Sequence, residues 1–254
     1  MKWRAEFATL GLLWTVSVIL VGCQKIEPLD GGNASSTSSN EGSSSSTSGS
    51  AVASAGGSAS SADVNKAGAN MKRLVLAFHK YYDANGKMPP AYTKDENGNP
   101  LTSWRVLILP YIGEQAIYDQ YDQTKPWDSP ENLRLSKSTP AGLVNPLIAN
   151  ATSGLTPFVG VVGPKTALNT EKPLRYQDIS DGLINTAVFI EDLNHPVIWS
   201  QPTDLSPEEL LARSSFEDNV HGGTQFGIAD GHIYQYGNED REKIGWLIDI
   251  GNGL

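Results

Sequence analysis

DVNKAGANMKRLVLAFHKYYDANGKMPP, residues 63–90, is the stretch on which the fold turns. Val64, Ala67, Met71, Leu74, Val75, Phe78 and Tyr82 recur at spacings of three and four, which lays one apolar stripe along a helix. Asn85-Gly86 supplies a left-handed stop, and Pro89-Pro90 prevents the helix from resuming. His79, beside Phe78, reads as a histidine at the boundary of the buried face.

Beyond this helix the pattern changes period. Strands are expected at residues 157–163, 185–192 and 195–200, and as a pair within QFGIADGHIYQY, residues 225–236. In that pair Asp230-Gly231 separates two alternating runs, the signature of a two-residue hairpin turn. Asp181-Gly182 marks a second turn. Between helix and strands, a short apolar run from Trp104 to Leu109 is halted by Pro110 and followed by a helical stretch near Glu114 to Tyr121. Ser129-Pro130 and Ser206-Pro207 each read as a cap followed by a first helical residue, with Glu209 completing a capping box after Ser206. Ile244, Leu247 and Ile248 share a face of a final helix that Gly251 ends. A long first helix followed by an antiparallel sheet with short additional helices is an α+β fold.

Upstream the sequence gives an address. Lys2 and Arg4 precede an apolar run from Leu10 to Val21, too short for a mature span of about 20 residues, and the run ends in Leu20-Val21-Gly22-Cys23. Cys23 is the only cysteine of the chain. Residues 1–22 therefore read as a signal peptide, and the tetrapeptide resembles the lipobox of bacterial lipoproteins. In that family the cysteine carries the lipid, so Cys23 is the expected lipidation site and a membrane the expected partner. Gln24 in place of an aspartate resembles lipoproteins sent on to an outer membrane. Residues 23–62 are dominated by Ser, Gly, Ala and Thr and cannot offset their ordering entropy by burial. They form a tether, with a reach of about 35 Å for a coil of roughly 39 residues. One domain is expected over 63–254.

The formal charge is −9, and losing Lys2, Arg4 and Glu6 with the signal makes it one unit more negative. Nucleic acid is a poor partner for such a chain. With one cysteine there is no internal disulfide and no Cys/His zinc pattern.

Taken in order, MKRLVLAFHKYYDANGKMPP, SWRVLILPYIGEQAIYDQY, KPWDSPEN, FVGVVGP, ISDGLINTAVFIED and HGGTQFGIADGHI resemble a large paralogous family of planctomycetes built on a domain of unknown function. The resemblance covers nearly all of residues 65–250. It implies a pilin-like or pseudopilin-like fold and a carboxy-terminal H-x(9)-D-G motif, whose positions here are His221, Gly222, Gly223, Asp230 and Gly231. Two departures stand out: a lipobox and tether replace the apolar half of a pilin helix, and eight residues rather than nine separate His221 from Asp230.

His221, Asp230 and His232 are residue types that suit a metal, yet a turn explains the Asp-Gly pair without one. No G-x-S-x-G elbow, S-x-x-K pair or phosphate loop occurs. Trp104, Trp127, Trp199 and Trp246, with Tyr92, Tyr111 and Tyr118, are candidates for a carbohydrate groove, although such aromatics are more often core. The expectation is no catalytic residue, no cofactor and no metal. Three functions remain open: an envelope protein acting by interaction or assembly, with protein partners; a solute- or glycan-binding lipoprotein; and an extracytoplasmic hydrolase built around His221 and Asp230.

Overall fold

A computed structural model describes residues 59–218 and 220–251. Cys23, the lipobox and most of the tether lie outside the described residues. The elements run α1 (Ser61–Asn85), β1 (Tyr92–Lys94), β2 (Pro100–Ser103), α2 (Trp104–Leu107), α3 (Gln115–Tyr118) and α4 (Pro130–Ser136). They continue through β3 (Leu155–Thr156), β4 (Phe158–Gly160), β5 (Val162–Gly163), β6 (Leu168–Asn169), β7 (Ala187–Glu191) and β8 (Val197–Ile198). The last are α5 (Pro207–Leu211), β9 (Thr224–Ile228), β10 (Ile233–Tyr236) and α6 (Arg241–Ile248).

The helix α1 starts where Ser60 accepts the Asp63 N–H at 3.1 Å. It stops at Gly86, whose φ of +70° and N–H bond to the Tyr82 carbonyl close the last turn. Its buried side chains are Ala67, Asn70, Met71, Leu74, Val75, Ala77 and Phe78. Phe78 stacks on Phe189 of β7 with ring centroids 6.0 Å apart, and touches Trp104 of α2 at 5.2 Å. Burying an aromatic ring of this kind contributes about 1.5–3 kcal/mol.

The main sheet has the order β10-β9-β7-β4 and is antiparallel throughout. Residues 157–163, expected as one strand, are two: β4 belongs to the main sheet, while β5 forms a separate parallel pair with β6. Of residues 195–200 only Val197 and Ile198 form a strand, and they pair with β3 outside the main sheet.

Both faces of the sheet are covered. On one side lie α1 and α2; on the other, Val159, Ile190, Phe226 and Ile228 pack against Leu210 of α5 and Ile244, Leu247 and Ile248 of α6. All five residues of β7 are buried as a result, Glu191 included. Gly227 of β9 faces Phe189, and a Cβ there would come within 2.6 Å of that ring, so the glycine admits the aromatic.

The hairpin differs in one detail from its expectation. The Gly231 N–H bonds the Ile228 carbonyl at 3.0 Å, the Ile228 N–H bonds the His232 carbonyl at 2.9 Å, and Gly231 has φ +105°. The loop is therefore three residues, Ala229 to Gly231. A turn ending in one left-handed glycine replaces the two-residue turn with left-handed residues at both centres.

Candidate functional site

The β7 strand ends in Glu191, and the segment between α5 and β9 returns across that end. It brings Asp218 and His221 beside Glu191, so that one possible ligand atom from each lies within 4.8 Å of the other two. The Glu191 and His221 side chains retain only 1% and 7% of their exposure.

Each carboxylate is half committed. Glu191 Oε1 accepts from the amide of buried Asn145, and Asp218 Oδ1 accepts from the backbone N–H groups of Val220 and His221. The remaining atoms, Glu191 Oε2, Asp218 Oδ2 and His221 Nε2, are buried and have no hydrogen bond of normal alignment. His221 Nε2 nevertheless lies 2.9 Å from Glu191 Oε2, an ion-pair distance. That contact with Glu191 raises the His221 pKa above its ordinary value; burial opposes it, and the charges of Glu191 and Asp218 add to it. The Gln235 side chain donates to the His221 carbonyl at 2.7 Å and fixes the backbone of the segment against β10.

A cleft of about 310 Å³ opens beside this cluster, lined by Glu191, Asp192, His195, Arg213, Glu217 and Asp218 among others. Asp192 is buried and paired with Arg213, and its Oδ1 lies 3.2 Å from His195 Nδ1.

Of the expected motif residues, the structure brings His221 into this cluster and leaves Asp230 out. His221 precedes β9 and Asp230 follows it, so they stand at opposite ends of a five-residue strand spanning roughly 17 Å. Asp230 instead pairs with exposed His232 at 2.9 Å across the hairpin turn. Gly222 has φ +71°, and a Cβ on Gly223 would lie 2.9 Å from the Tyr236 carbonyl, so both serve backbone geometry. The expectation of no metal was weighed at His221, Asp230 and His232, which the structure does not bring together; the side chains that converge on His221 are Glu191 and Asp218. Sequence reasoning missed both. The signals were an acidic pair, Glu191-Asp192, closing an apolar strand, and an aspartate three residues before His221.

The aromatic residues do not form one groove. Trp104 and Trp199 are fully buried in the core, Tyr92, Tyr111 and Tyr118 pack against it, and Trp246 is exposed on α6. His79 is bound to the fold through Tyr176, its Nδ1 2.9 Å from the phenolic oxygen. Burial, with Asp83 and Tyr82 nearby, pushes the Tyr176 hydroxyl up to about 12.

Among the described residues no helix is long and apolar enough to cross a membrane. No curated protein and no solved structure matches the chain. Residues 66–147, from α1 to the segment after α4, match a family described as protein of unknown function (DUF1559), and the Glu191, Asp218 and His221 cluster lies beyond the matched part.

Proposed function

We propose that the chain is a lipid-anchored protein of the bacterial cell envelope whose α+β domain, related in build to pilins and pseudopilins, works by interaction or assembly and not by catalysis. The observation that carries this reading is the packing of α1 on an antiparallel sheet through Phe78 and Phe189, downstream of a lipobox and a Ser-rich tether. Several acyl chains on Cys23 would hold it stably at the membrane, where one would be marginal. Apolar side chains left on its surface, Leu76 of α1 and Ile184 before β7, each at 53% exposure, suit contact with protein partners.

The test is in-cell crosslinking and affinity purification of the tagged protein beside its Cys23→Ala variant. Envelope assembly or secretion components recovered only with the anchored form support the reading. Recovery of nothing specific from either form overturns it.

A second reading, a solute- or glycan-binding lipoprotein, is favoured by a groove of about 660 Å³ lined by Val162, Pro164, Pro207, Leu211, Gly245 and Ile248, among others. That volume falls within the range of small-molecule sites. A saturable rise in melting temperature with one member of a sugar and solute panel would put this reading first.

A further inference from the structure

The cleft beside β7 is short of positive charge. Four carboxylates line it, Glu191, Asp192, Glu217 and Asp218, and the one arginine, Arg213, is paired with Asp192. His195 also turns to Asp192. That leaves Glu191 and Asp218 facing each other's charge with only the His221 imidazole between them. Buried carboxylates in such a setting need a cation or a proton.

The way the three side chains are held favours a cation. Asn145 takes one oxygen of Glu191, and the Val220 and His221 N–H groups take one oxygen of Asp218. This supporting layer orients the carboxylates and turns Glu191 Oε2, 2.9 Å from His221 Nε2, and Asp218 Oδ2 toward the same point, as outer-layer hydrogen bonds do around bound metals. Of the seven buried side-chain atoms without a hydrogen bond among the described residues, three are these. Scattered unsatisfied atoms would be packing defects, but three donors gathered at one point make a coordination set.

We propose that Glu191, Asp218 and His221 form a binding site for a first-row divalent transition-metal ion, zinc being the type ion. One imidazole nitrogen with two carboxylates suits zinc, cobalt or manganese, whereas calcium and magnesium take oxygen ligands alone. Three protein donors leave a fourth position for water or a ligand from the adjoining cleft. Glu191 belongs to the sheet, while Asp218 and His221 belong to the segment between α5 and β9, so the ion pins that segment to the central strand.

The experiment uses the full chain in detergent with Cys23→Ala, which removes the thiol as a competing ligand. Zinc is titrated by calorimetry, cobalt by its visible absorption, and calcium serves as a competitor. The expected result is one saturable equivalent of zinc, undisturbed by equimolar calcium. Asp218→Asn and His221→Gln should each weaken binding by about tenfold or more, and His232→Ala should leave it unchanged. Glu191 is interior, so Glu191→Gln also perturbs folding; the unaltered protein supplies an independent readout, in which zinc must shift the His221 ring resonances. The proposal is overturned if the folded chain takes up no zinc saturably, if the His221 ring does not respond, or if calcium displaces zinc at equal concentration. Binding that survives both Asp218→Asn and His221→Gln, or that is lost with His232→Ala, also overturns it.

Discussion

The guanidinium of Arg105 meets the carboxylate of Asp204 across 99 residues of sequence, with side-chain exposures of 0% and 2%. Arg105 also donates to the Phe158 carbonyl at 2.7 Å and to Ser103 Oγ at 2.8 Å, while Asp204 accepts from the Gly160 N–H at 2.6 Å and from the Trp104 indole at 3.1 Å. Burial pushes both groups toward neutrality, lowering the arginine pKa and raising that of the aspartate, and their mutual attraction resists it. The pair fastens α2, β4 and the loop before α5 into one unit.

Removing one partner leaves the other charged and buried. Arg105→Ala should lower stability by about 3–5 kcal/mol, while the apolar double replacement Arg105→Met/Asp204→Leu should cost much less. Urea denaturation of the three proteins checks this; equal losses in the single and double variants would show that the charge pairing is not what matters.

Gly227→Ala places a methyl group against the Phe189 ring. A loss of about 1–3 kcal/mol is expected, the cost of overpacking a core. Trimming the ring with Phe189→Leu in the same chain should recover part of it, and a double-mutant cycle by thermal unfolding measures the recovery.

Gly231→Ala tests the three-residue hairpin. A side chain at φ +105° should cost about 1–2 kcal/mol. The same change at Asp230 should cost less, because the turn needs one left-handed residue and not two; chemical denaturation compares the two variants.

Arg175 bonds Asp178 through both its guanidinium and its backbone N–H, and holds that carboxyl down at about 2. Because the folded value lies below the unfolded one, the associated stabilisation is complete above the ordinary aspartate range. It fades as pH falls from that range through about 2. An NMR titration should give the low midpoint, and Arg175→Ala should return it toward the ordinary range.

The helix α1 was readable because it carries its own signals, a 3.6-residue stripe and Asn85-Gly86 after it; its Ser60 cap, in a serine-rich run, was not singled out. The capped starts at Ser129 and Ser206 were readable for the same reason, and both side chains accept the expected N–H bonds. The split of residues 157–163 was not, because β4 and β5 differ only in which neighbours they find. Nor was the burial of Glu191. By alternation Glu191 shares the Phe189 face of β7, and it is shut in by Asn145 and by the segment carrying Asp218 and His221, all distant from it in sequence. Asp218 escaped notice because Glu191, beside which it is brought, lies 27 residues upstream, and no local pattern encodes that proximity.

The stack of Phe78 on Phe189 also determines how the domain bears a mechanical load. A pull entering at Ser60 runs along the axis of α1, whose grip on the sheet is side-chain packing with no strand hydrogen bonds in the direct path. Under tension α1 is expected to peel from its amino-terminal end, losing first the Asn70 bond to the Val144 carbonyl and then the turns of Met71 and Leu74, with the sheet intact until the Phe78 turn is reached. The aromatic stack is thus expected to act as a mechanical fuse, separating events at the amino-terminal end of the domain from the strand that holds Glu191.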